Sequence, residues 1–295
     1  MKDSFSNMHP LTGFLYFTAV ILLSMFIMHP VCLCISLLCA LLNAVLLGGK
    51  RAVLFTIKFL LPTAAFIIMI NPLFNHRGMT LIDYLPWGNP LTLESVLFGA
   101  ASATLVVSVA LWFLSMNRVI TSDKLVYLFG KITPSLGLLL AMALRFVPRF
   151  TERLKQTLQA QRHLIPLKKK SLTGRFKAGI SALSVVVSWS MENAVDTSDA
   201  MKSRGYGLKH RTAYSIYRFH RLDLAALCVM AVEIIFMMVT LFFNRIKFTY
   251  YPVLTVSTPD VLSVMFFAVY ALFMLTPLII NVGEGLRWKQ SQSNI

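Results

Sequence analysis

The sequence contains no arrangement of reactive side chains that is typical of an enzyme. The nearest approach to a phosphate-binding loop is Gly48-Gly49-Lys50, but Ala44 stands where such a loop requires its first glycine. Neither His-Glu-x-x-His nor Gly-x-Ser-x-Gly occurs, and the six histidines are scattered along the chain. We therefore predict that this protein is not an enzyme and does not hydrolyse ATP alone.

Two groups of side chains have the residue types that bind metals. Cys32 and Cys34 form a Cys-x-Cys pair, but the pair lies inside an apolar run, where cysteine usually behaves as a small buried hydrophobe. Glu192, Asp196 and Asp199 would fall on one face of a helix, where a solvated acidic face beside basic residues is the simpler interpretation. The sequence therefore predicts no metal site and no cofactor held by this chain.

Two ionisable residues lie within apolar runs. Glu233 is ten residues into one run, and a charge at that depth in a membrane must be paired, protonated or turned toward protein. A structural pairing and a functional role are both open for it. Lys58 lies seven residues past Arg51, close enough to the start of its run to extend its ammonium group to the membrane surface.

The most informative motif for binding is an octapeptide that includes Arg204. Gly205 is typical of the residue that ends a helix, so Arg204 would project at the tip. An arginine there offers a planar, permanently charged group that can engage carboxylates of a partner. The octapeptide alone is equally compatible with a solvated arginine. Its residues are Ala200, Met201, Lys202, Ser203, Arg204, Gly205, Tyr206 and Gly207.

Composition indicates that these residues belong to a membrane protein. Of the 295 residues 57% are hydrophobic and only 14% are charged, and the mean hydropathy is +0.69. A soluble domain of this length needs a larger polar shell. The formal charge of +16 first indicates cytoplasmic loops and contacts with anionic lipid or acidic partners, rather than nucleic acid.

Six apolar runs approach the roughly 20 residues that a membrane span requires. We predict an all-α polytopic membrane protein with about six transmembrane helices and a cytoplasmic amphipathic insert. Its regions are residues 1–116 with four spans, 117–223 as the insert, and 224–295 with two spans and a short tail. The runs are Leu11–Met28, Val31–Leu47, Ala52–Pro72, Ser95–Met116, Leu224–Phe243 and Val261–Ile280.

Charge asymmetry sets the expected orientation. With four spans before the insert and two after it, the two termini and the insert share one side. That side holds all but four of the 28 basic residues; the exceptions are Lys58, Arg77, Arg245 and Lys247. Basic residues favour the cytoplasmic side, so we expect the termini and the insert to be cytoplasmic.

The insert contains two amphipathic patterns. In the first, a mainly apolar stripe runs from Phe146 to Gln161 at helical spacing, and in the second a similar stripe runs from Ile180 to Met201. Lys168-Lys169-Lys170 and Gly174 are expected to form the turn between them. The apolar runs Ile132–Leu144 and Ala178–Met191 are too short to span a membrane comfortably. Two such helices can pack together and leave their ends free for docking.

Three segments of the insert resemble the transmembrane T component of energy-coupling factor (ECF) transporters, the family that includes CbiQ-type cobalt transport subunits. Ala143-Leu144-Arg145-Phe146-Val147-Pro148 is similar to the family's entry into its coupling region. Ala160-Gln161-Arg162 is similar to the start of its first Ala-Arg-Gly-type motif, and Ala200–Tyr206 to its second. The order, the spacing and the four preceding spans also agree.

This resemblance implies a scaffold whose coupling helices insert into grooves on two ABC-type ATPases, which bind ATP and Mg²⁺. A small membrane S component would bind a vitamin, a vitamin precursor or a transition-metal ion. Ala200, Ser203, Arg204, Gly205 and Tyr206 would form the second ATPase contact, and Ala160, Gln161 and Arg162 the first. Arg145 and Pro148 would form a hinge. His163-Leu164-Ile165 replaces the usual Ala-Arg-Gly, which makes the first contact atypical.

The resemblance also implies the cell membrane of a prokaryote and no nucleic-acid partner. Hydrolysis in the ATPases would move the coupling helices and reorient the S component. The alternative is a non-transporting membrane scaffold that recruits an acidic cytoplasmic partner or anionic lipid through the basic insert. A self-contained carrier is a third interpretation, and a membrane enzyme is the least supported.

Overall fold

The computed structural model of the chain describes residues 4–84, 90–164, 172–206, 217–243, 246, 248–256 and 260–293. The chain divides into two compact units. The first comprises Met1–Thr121 and Tyr217–Ile295, and the second comprises Ser122–Ile216. The first unit therefore brings the N-terminal and C-terminal parts of the sequence together.

The first unit contains the six predicted apolar helices, which follow a short helix α1 (Ser4–Asn7). Five are long and apolar enough to cross a membrane, and the sixth, α2, is apolar and has 17 residues, near the lower limit of about 17 for a span. The predicted polytopic helical membrane fold is thereby confirmed. The helices are α2 (Pro10–Phe26), α3 (Pro30–Gly48), α4 with α5 (Lys50–Phe55 and Leu61–Phe74), α6 (Leu93–Val119), α10 (Arg221–Phe242) and α11 (Val261–Ser293).

Two His-Pro pairs explain where α2 and α3 begin. Proline is favoured in the first helical turn because its missing N–H needs no partner there. The Nδ1 atom of His9 accepts a hydrogen bond from the Leu11 N–H at 3.2 Å, and that of His29 accepts one from the Val31 N–H at 3.3 Å. Each imidazole therefore caps the helix that follows it. Burial lowers the pKa of His29, which lies between the two spans, and favours the neutral form that the cap requires.

An aromatic cluster lies in the interior of the first unit. Tyr16, Phe17 and Trp112 are fully buried, and the Tyr16 and Phe273 rings lie 5.4 Å apart. Their polar atoms are hydrogen-bonded, as an apolar interior requires. The Tyr16 hydroxyl donates to the Phe273 carbonyl oxygen at 3.2 Å, and Trp112 Nε1 donates to Ser36 Oγ at 3.1 Å. The cluster ties α2, α3, α6 and α11 together.

The third span is the most exposed of the six. A π-helical turn, Thr56–Leu60, joins α4 to α5, and the exposed Lys58 lies within it. The span packs mainly against α6, where a Cβ atom on Gly99 would lie only 3.0 Å from Asn71 Cβ and 3.4 Å from the Ile68 carbonyl oxygen. The sequence around Gly99, residues 99–103, consists of small residues. Such residues permit a close approach of helices, which is what α5 and α6 show here.

The loops at the α2–α3 end of the first unit pack into one cluster. Two short antiparallel hairpins occur there, in segments where the sequence predicts only turns. Tyr250, between the second pair of strands, donates to the Met28 carbonyl oxygen at 3.0 Å, and Asn75 donates to the Tyr251 hydroxyl at 2.8 Å. Burial raises the pKa of Tyr250 to about 12. The strands are β1 (Leu81–Tyr84) with β2 (Pro90–Thr92), and β3 (Phe248–Thr249) with β4 (Thr255–Val256).

The second unit contains α7 (Ser122–Ile132), α8 (Pro134–Leu164) and α9 (Leu172–Ser203). The sequence did not predict α7, which packs closely on α8 where Gly130 faces Gly137. The apolar run Ile132–Leu144 and the first amphipathic pattern form one continuous helix, α8, apart from Ile132 and Thr133, which precede it. The prediction that Gly174 lies in the turn is wrong, because α9 already begins at Leu172. Lys168–Lys170 lie outside the described residues.

Candidate functional site

The Arg204 motif forms the end of α9 and the turn that closes it. Gly205 has φ +75°, the left-handed conformation that glycine adopts without steric cost. The Tyr206 N–H donates to the Met201 carbonyl oxygen at 3.1 Å, and the Gly205 N–H donates to that of Lys202 at 3.0 Å. These two bonds define a Schellman motif. The prediction that Gly205 ends this helix is therefore confirmed.

The turn folds back onto α8. Tyr206 and Met201, which are the residues that usually make the apolar contact of a Schellman motif, line one cleft together. The cleft has a volume of about 430 Å³ and lies between α8 and α9. Its α8 side is formed by Met142 and Phe146. The position of the helix tip is thus set by apolar packing on α8 as well as by its own cap.

Arg204 itself is exposed at the tip. Within the described part of the chain its guanidinium group has no ion-pair partner. The neighbouring Ser203 hydroxyl donates to the Ala200 carbonyl oxygen at 2.9 Å, which satisfies one of the last acceptors of the helix. Lys202 pairs with Asp199 at 3.5 Å, but both side chains are exposed and such a pair contributes little. Arg204 is therefore available to a carboxylate on another molecule.

The other predicted contact lies near the end of α8. Ala160 is exposed, and Gln161 donates from Nε2 to Ser181 Oγ on α9 at 3.1 Å. The Gln161 Oε1 atom is buried and has no hydrogen-bond partner among the described residues. Arg162 belongs to α8, but its side chain lies outside the description. Gln161 thus connects the two helices, a role that the sequence did not predict for it.

Contacts along α8 and α9 follow an antiparallel register. Gln161 meets Ser181, Phe150 meets Trp189 with ring centroids 6.1 Å apart, and Phe146 lines the cleft beside Met201. The C-terminal ends of the two helices therefore lie at opposite ends of the pair. From Ser181 to Arg204 the rise along α9 is about 35 Å, at roughly 1.5 Å per residue. The two predicted contacts are separated by approximately this distance.

Trp189 is the central side chain of the helix pair, and no role was predicted for it from the sequence. The guanidinium carbons of Arg149 and Arg153 lie 5.6 Å and 5.3 Å from its ring centroid. Both distances are within the range for cation–π attraction. The Phe146 and Phe150 rings stack at 5.6 Å on the same side of α8. The sequence offered one signal for this role: Trp189 is a large aromatic residue within the second amphipathic pattern, which was expected to pack against the Phe146–Gln161 stripe of the first.

The predicted hinge residues lie inside α8. Arg145 is exposed, and Pro148 is accommodated without an interruption of the helix. Proline removes one backbone hydrogen bond, so this point is locally weaker than the rest of the helix. The Thr151 hydroxyl contacts the Val147 carbonyl oxygen at 3.0 Å and that of Pro148 at 2.7 Å. The structure shows a continuous helix here, and hinge motion stays a prediction.

The outer faces of α8 and α9 are unusually apolar for helices outside the candidate spans. On α8, Leu139 and Val147 are 65% and 58% exposed. On α9, Phe176, Met191 and Val195 are 73%, 69% and 62% exposed. Contiguous apolar surface of this kind marks a contact with another apolar surface. The helix pair therefore presents exposed apolar residues along its sides as well as the charged tip at Arg204.

Glu233 is buried in α10, with 7% of its surface exposed. Its Oε2 atom has no hydrogen-bond partner among the described residues. A carboxyl group at this depth is thus turned toward protein, which is one of the three arrangements the sequence left open. Its role stays open. In the described residues no group of three or more His, Cys, Asp and Glu side chains could hold a metal ion.

Known proteins match this chain over much of its length. The family model of the cobalt transport protein CbiQ matches residues 2–214. The energy-coupling factor transporter transmembrane protein EcfT 1 of Listeria monocytogenes is 27% identical over 190 residues, 59% of this chain and 69% of the relative. The corresponding EcfT protein of Lactobacillus helveticus is 35% identical over 94 residues, 31% of this chain and 34% of the relative.

Six apolar helices with a helix pair outside the candidate spans define a polytopic membrane protein of the transporter-component class. The matched region covers the first four spans and the whole described helix pair, including Arg204. The chain belongs to the CbiQ cobalt transport protein family. The resemblance drawn from the three motifs is thereby confirmed.

Proposed function

We propose that this protein is the transmembrane scaffold subunit of an ECF-type ABC importer. The observation that carries the proposal is the glycine-capped tip of α9, which presents Arg204 without an internal partner. An exposed, preorganised arginine can form charge-assisted hydrogen bonds with an acidic groove at a small entropic cost. The partners would be two ABC-type ATPases, which bind the ATP and Mg²⁺ that this chain does not use.

The antiparallel pairing of α8 and α9 supports contact with two ATPases at once. Because the helix ends lie roughly 35 Å apart along the pair, each can enter the groove of a different ATPase subunit. Ala160, Gln161 and Arg162 would form the first contact. Ala200, Ser203, Gly205 and Tyr206 would form the second around Arg204. The two contacts differ chemically, since only the second has a glycine-capped end in the described residues.

Packing between the helices would transmit motion from the ATPases. A change in the distance between the two ATPase grooves pulls on both ends of the pair. Contacts of Trp189 with Phe150 and the two arginines hold the middle together, so the ends cannot move independently. Pro148, which lacks one backbone hydrogen bond, is where α8 would bend most easily. Coupling requires that the ATPase contacts hold in both states.

The exposed apolar sides of α8 and α9 are where a small membrane S component would bind. Leu139 on one helix and Met191 on the other would each leave water on binding, which is the main source of affinity for such a surface. The S component would supply specificity for a vitamin, a vitamin precursor or a transition-metal ion. Glu233 would act within the membrane unit, either in packing or in transport.

The proposed location is the cell membrane of a prokaryote, with both termini and the helix pair cytoplasmic. In this orientation few of the described basic residues lie away from the cytoplasmic side: Arg77 lies in the loop at the α2–α3 end, and Lys58 lies within the third span. Contact with cytoplasmic ATPases requires this orientation. Cysteine labelling from outside the cell, at a residue introduced near Arg204, would oppose the proposal if it succeeded.

The decisive test is Arg204→Glu in the complete transporter. We expect the variant to insert into the membrane but to lose co-purification of the ATPases and substrate uptake, because the tip would then repel an acidic groove. Lys155→Glu is the matched control, since Lys155 is also exposed but lies along α8 between the two proposed contacts. Its ATPase recovery should equal that of the wild type.

Two results would contradict the proposal. One is full uptake by Arg204→Glu. The other is a purified wild-type complex that contains an acidic cytoplasmic protein but no ATPase, which would support a non-transporting scaffold instead. Glu233→Gln separates the two roles of that residue: normal uptake excludes a role for its charge or its proton in transport.

A further inference from the structure

A cleft between α10 and α11 is not explained by the proposed coupling function. It has a volume of about 520 Å³, within the roughly 300–1,000 Å³ of small-molecule sites. Small residues create it, because Ala225 and Ala226 of α10 stand opposite Thr276 and Gly283 of α11. Most of the lining belongs to residues beyond 214, where the family match ends.

The cleft follows the helices into the membrane region. On α10 it extends from Asp223 to Met230, a rise of about 10 Å at roughly 1.5 Å per residue. The rim is apolar and open to the side, since Leu222, Val229 and Ile279 are 65%, 53% and 54% exposed. A molecule that fills the cleft must therefore be apolar along its length and able to enter from the bilayer.

Next to the mouth of the cleft, at the start of α10, two arginines flank the lining residue His220 in the sequence. Arg218 and Arg221 are both exposed there, and neither forms an ion pair within the described residues. Asp223 also lines the mouth, but it is buried and its two carboxylate oxygens accept hydrogen bonds from the main-chain N–H groups of His9 and His220, at 3.0 Å and 2.9 Å. Among the described side chains at the mouth, the two arginines are thus the charges available to a ligand.

We propose that this cleft binds one anionic glycerophospholipid. One acyl chain lies between α10 and α11, and the phosphate is held by Arg218 and Arg221 at the mouth. The apolar depth requires a chain, the lateral opening requires a molecule of the bilayer, and the charge of the mouth selects an anionic headgroup. The site needs only the membrane fold, so it does not depend on the ATPase contacts of α8 and α9.

The test is native mass spectrometry of the full-length protein in a neutral detergent, with phosphatidylglycerol and phosphatidylcholine added in turn. We expect one tightly retained phosphatidylglycerol and a preference over phosphatidylcholine of about fivefold for each arginine. Ala226→Trp fills the cleft and should remove this lipid. Arg218→Gln with Arg221→Gln should abolish the preference, while phosphatidylcholine is retained as before.

Matched controls separate the cleft from general effects. Val232→Trp adds the same side chain to α10 at a position that is 67% exposed and outside the cleft, so the lipid should remain. Arg51→Gln with Arg118→Gln removes two exposed arginines elsewhere and should leave the preference unchanged. Ala226→Leu, with monodisperse elution, serves as the milder variant if Ala226→Trp does not fold.

Three outcomes would overturn the proposal. The retained lipid could be the same in Ala226→Trp or Ala226→Leu as in the wild type. It could be lost equally from Val232→Trp. Finally, the cleft variants could release a co-purifying protein with no change in lipid, which would make the cleft a protein interface. Loss of the lipid with normal ATPase recovery would support the site independently of the coupling function.

Discussion

The two compact units bury their apolar side chains to very different degrees. In the membrane unit Tyr16, Phe17 and Trp112 are completely inaccessible. In the second unit Ala182 is the one buried hydrophobic residue among those the structure describes, while Phe176 and Met191 are 73% and 69% exposed. Lipid solvates the exposed apolar surface of the first unit. Among its described residues the second unit has no candidate span, and exposed apolar surface of this kind typically marks a contact surface.

The contrast separates a tightly packed membrane unit from a loosely packed second unit. A core with saturated contacts resists deformation. A helix pair held mainly by contacts of Trp189 and Gln161 can adjust its geometry at a smaller cost. The proposed coupling of ATPases to the membrane spans would use both properties, which here occupy different segments of the chain.

The largest expected effect compares two tryptophans. Trp112→Ala should lower the free energy of unfolding by about 3–5 kcal/mol, because it leaves a cavity in a packed core. Trp189→Ala should lower it by only about 1 kcal/mol, since it removes mainly cation–π contacts with exposed arginines. Thermal unfolding in detergent, followed by circular dichroism, measures both. Equal losses would show that the helix pair has a core of its own.

Gly205→Ala tests whether the glycine cap makes the tip of α9 rigid. A residue with a Cβ atom in the left-handed conformation costs about 1–2 kcal/mol, so the turn should open and ATPase binding should weaken. Gly179→Ala is the control, because Gly179 is inside α9 with open space around it and should stabilise the helix by about 0.5–1 kcal/mol. Hydrogen exchange of the Gly205 and Tyr206 amides reports on the cap directly.

A smaller effect is expected in the loop cluster of the membrane unit. Tyr250→Phe removes the hydrogen bond to the Met28 carbonyl oxygen and should cost about 1 kcal/mol. Tyr84→Phe, at a tyrosine that is 64% exposed, should have no measurable effect. Chemical denaturation compares the two variants. If Tyr250→Phe were equally neutral, the cluster would contribute nothing to the stability of the membrane unit.

The smallest effect concerns the dependence of stability on pH. Burial lowers the pKa of His29 below its ordinary value of 6.5, so the unfolded chain binds a proton at a pH where the folded chain does not. Stability is therefore complete above that value and falls as the pH decreases through it. His29→Asn keeps an acceptor for the Val31 N–H but cannot titrate. Its melting temperature should fall less than that of the wild type on acidification; parallel curves would exclude His29.

The sequence alone was sufficient for the features that depend on local composition. Membrane spans follow from summed hydropathy over about 20 residues, so all six were predicted. The predicted ends lie close to the observed helix ends, except that α11 continues past the predicted end at Ile280 to Ser293. The end of α9 could be predicted from one residue, Gly205, which follows the second amphipathic pattern. The close approach at Gly99 follows from a run of small residues, although its partner, the Ile68–Asn71 stretch of α5, could not be named.

The remaining features depend on which helix faces meet, and periodicity does not encode that. The antiparallel register that separates Gln161 from Arg204, the position of Trp189 between two arginines, and the cleft beside Ala226 all join residues distant in sequence. Short segments such as α7 and the four strands have weak local preferences and are stabilised by their neighbours. For this protein, local hydropathy specified the spans. Long-range packing specified the distance between the ends of α8 and α9 and the cleft between α10 and α11.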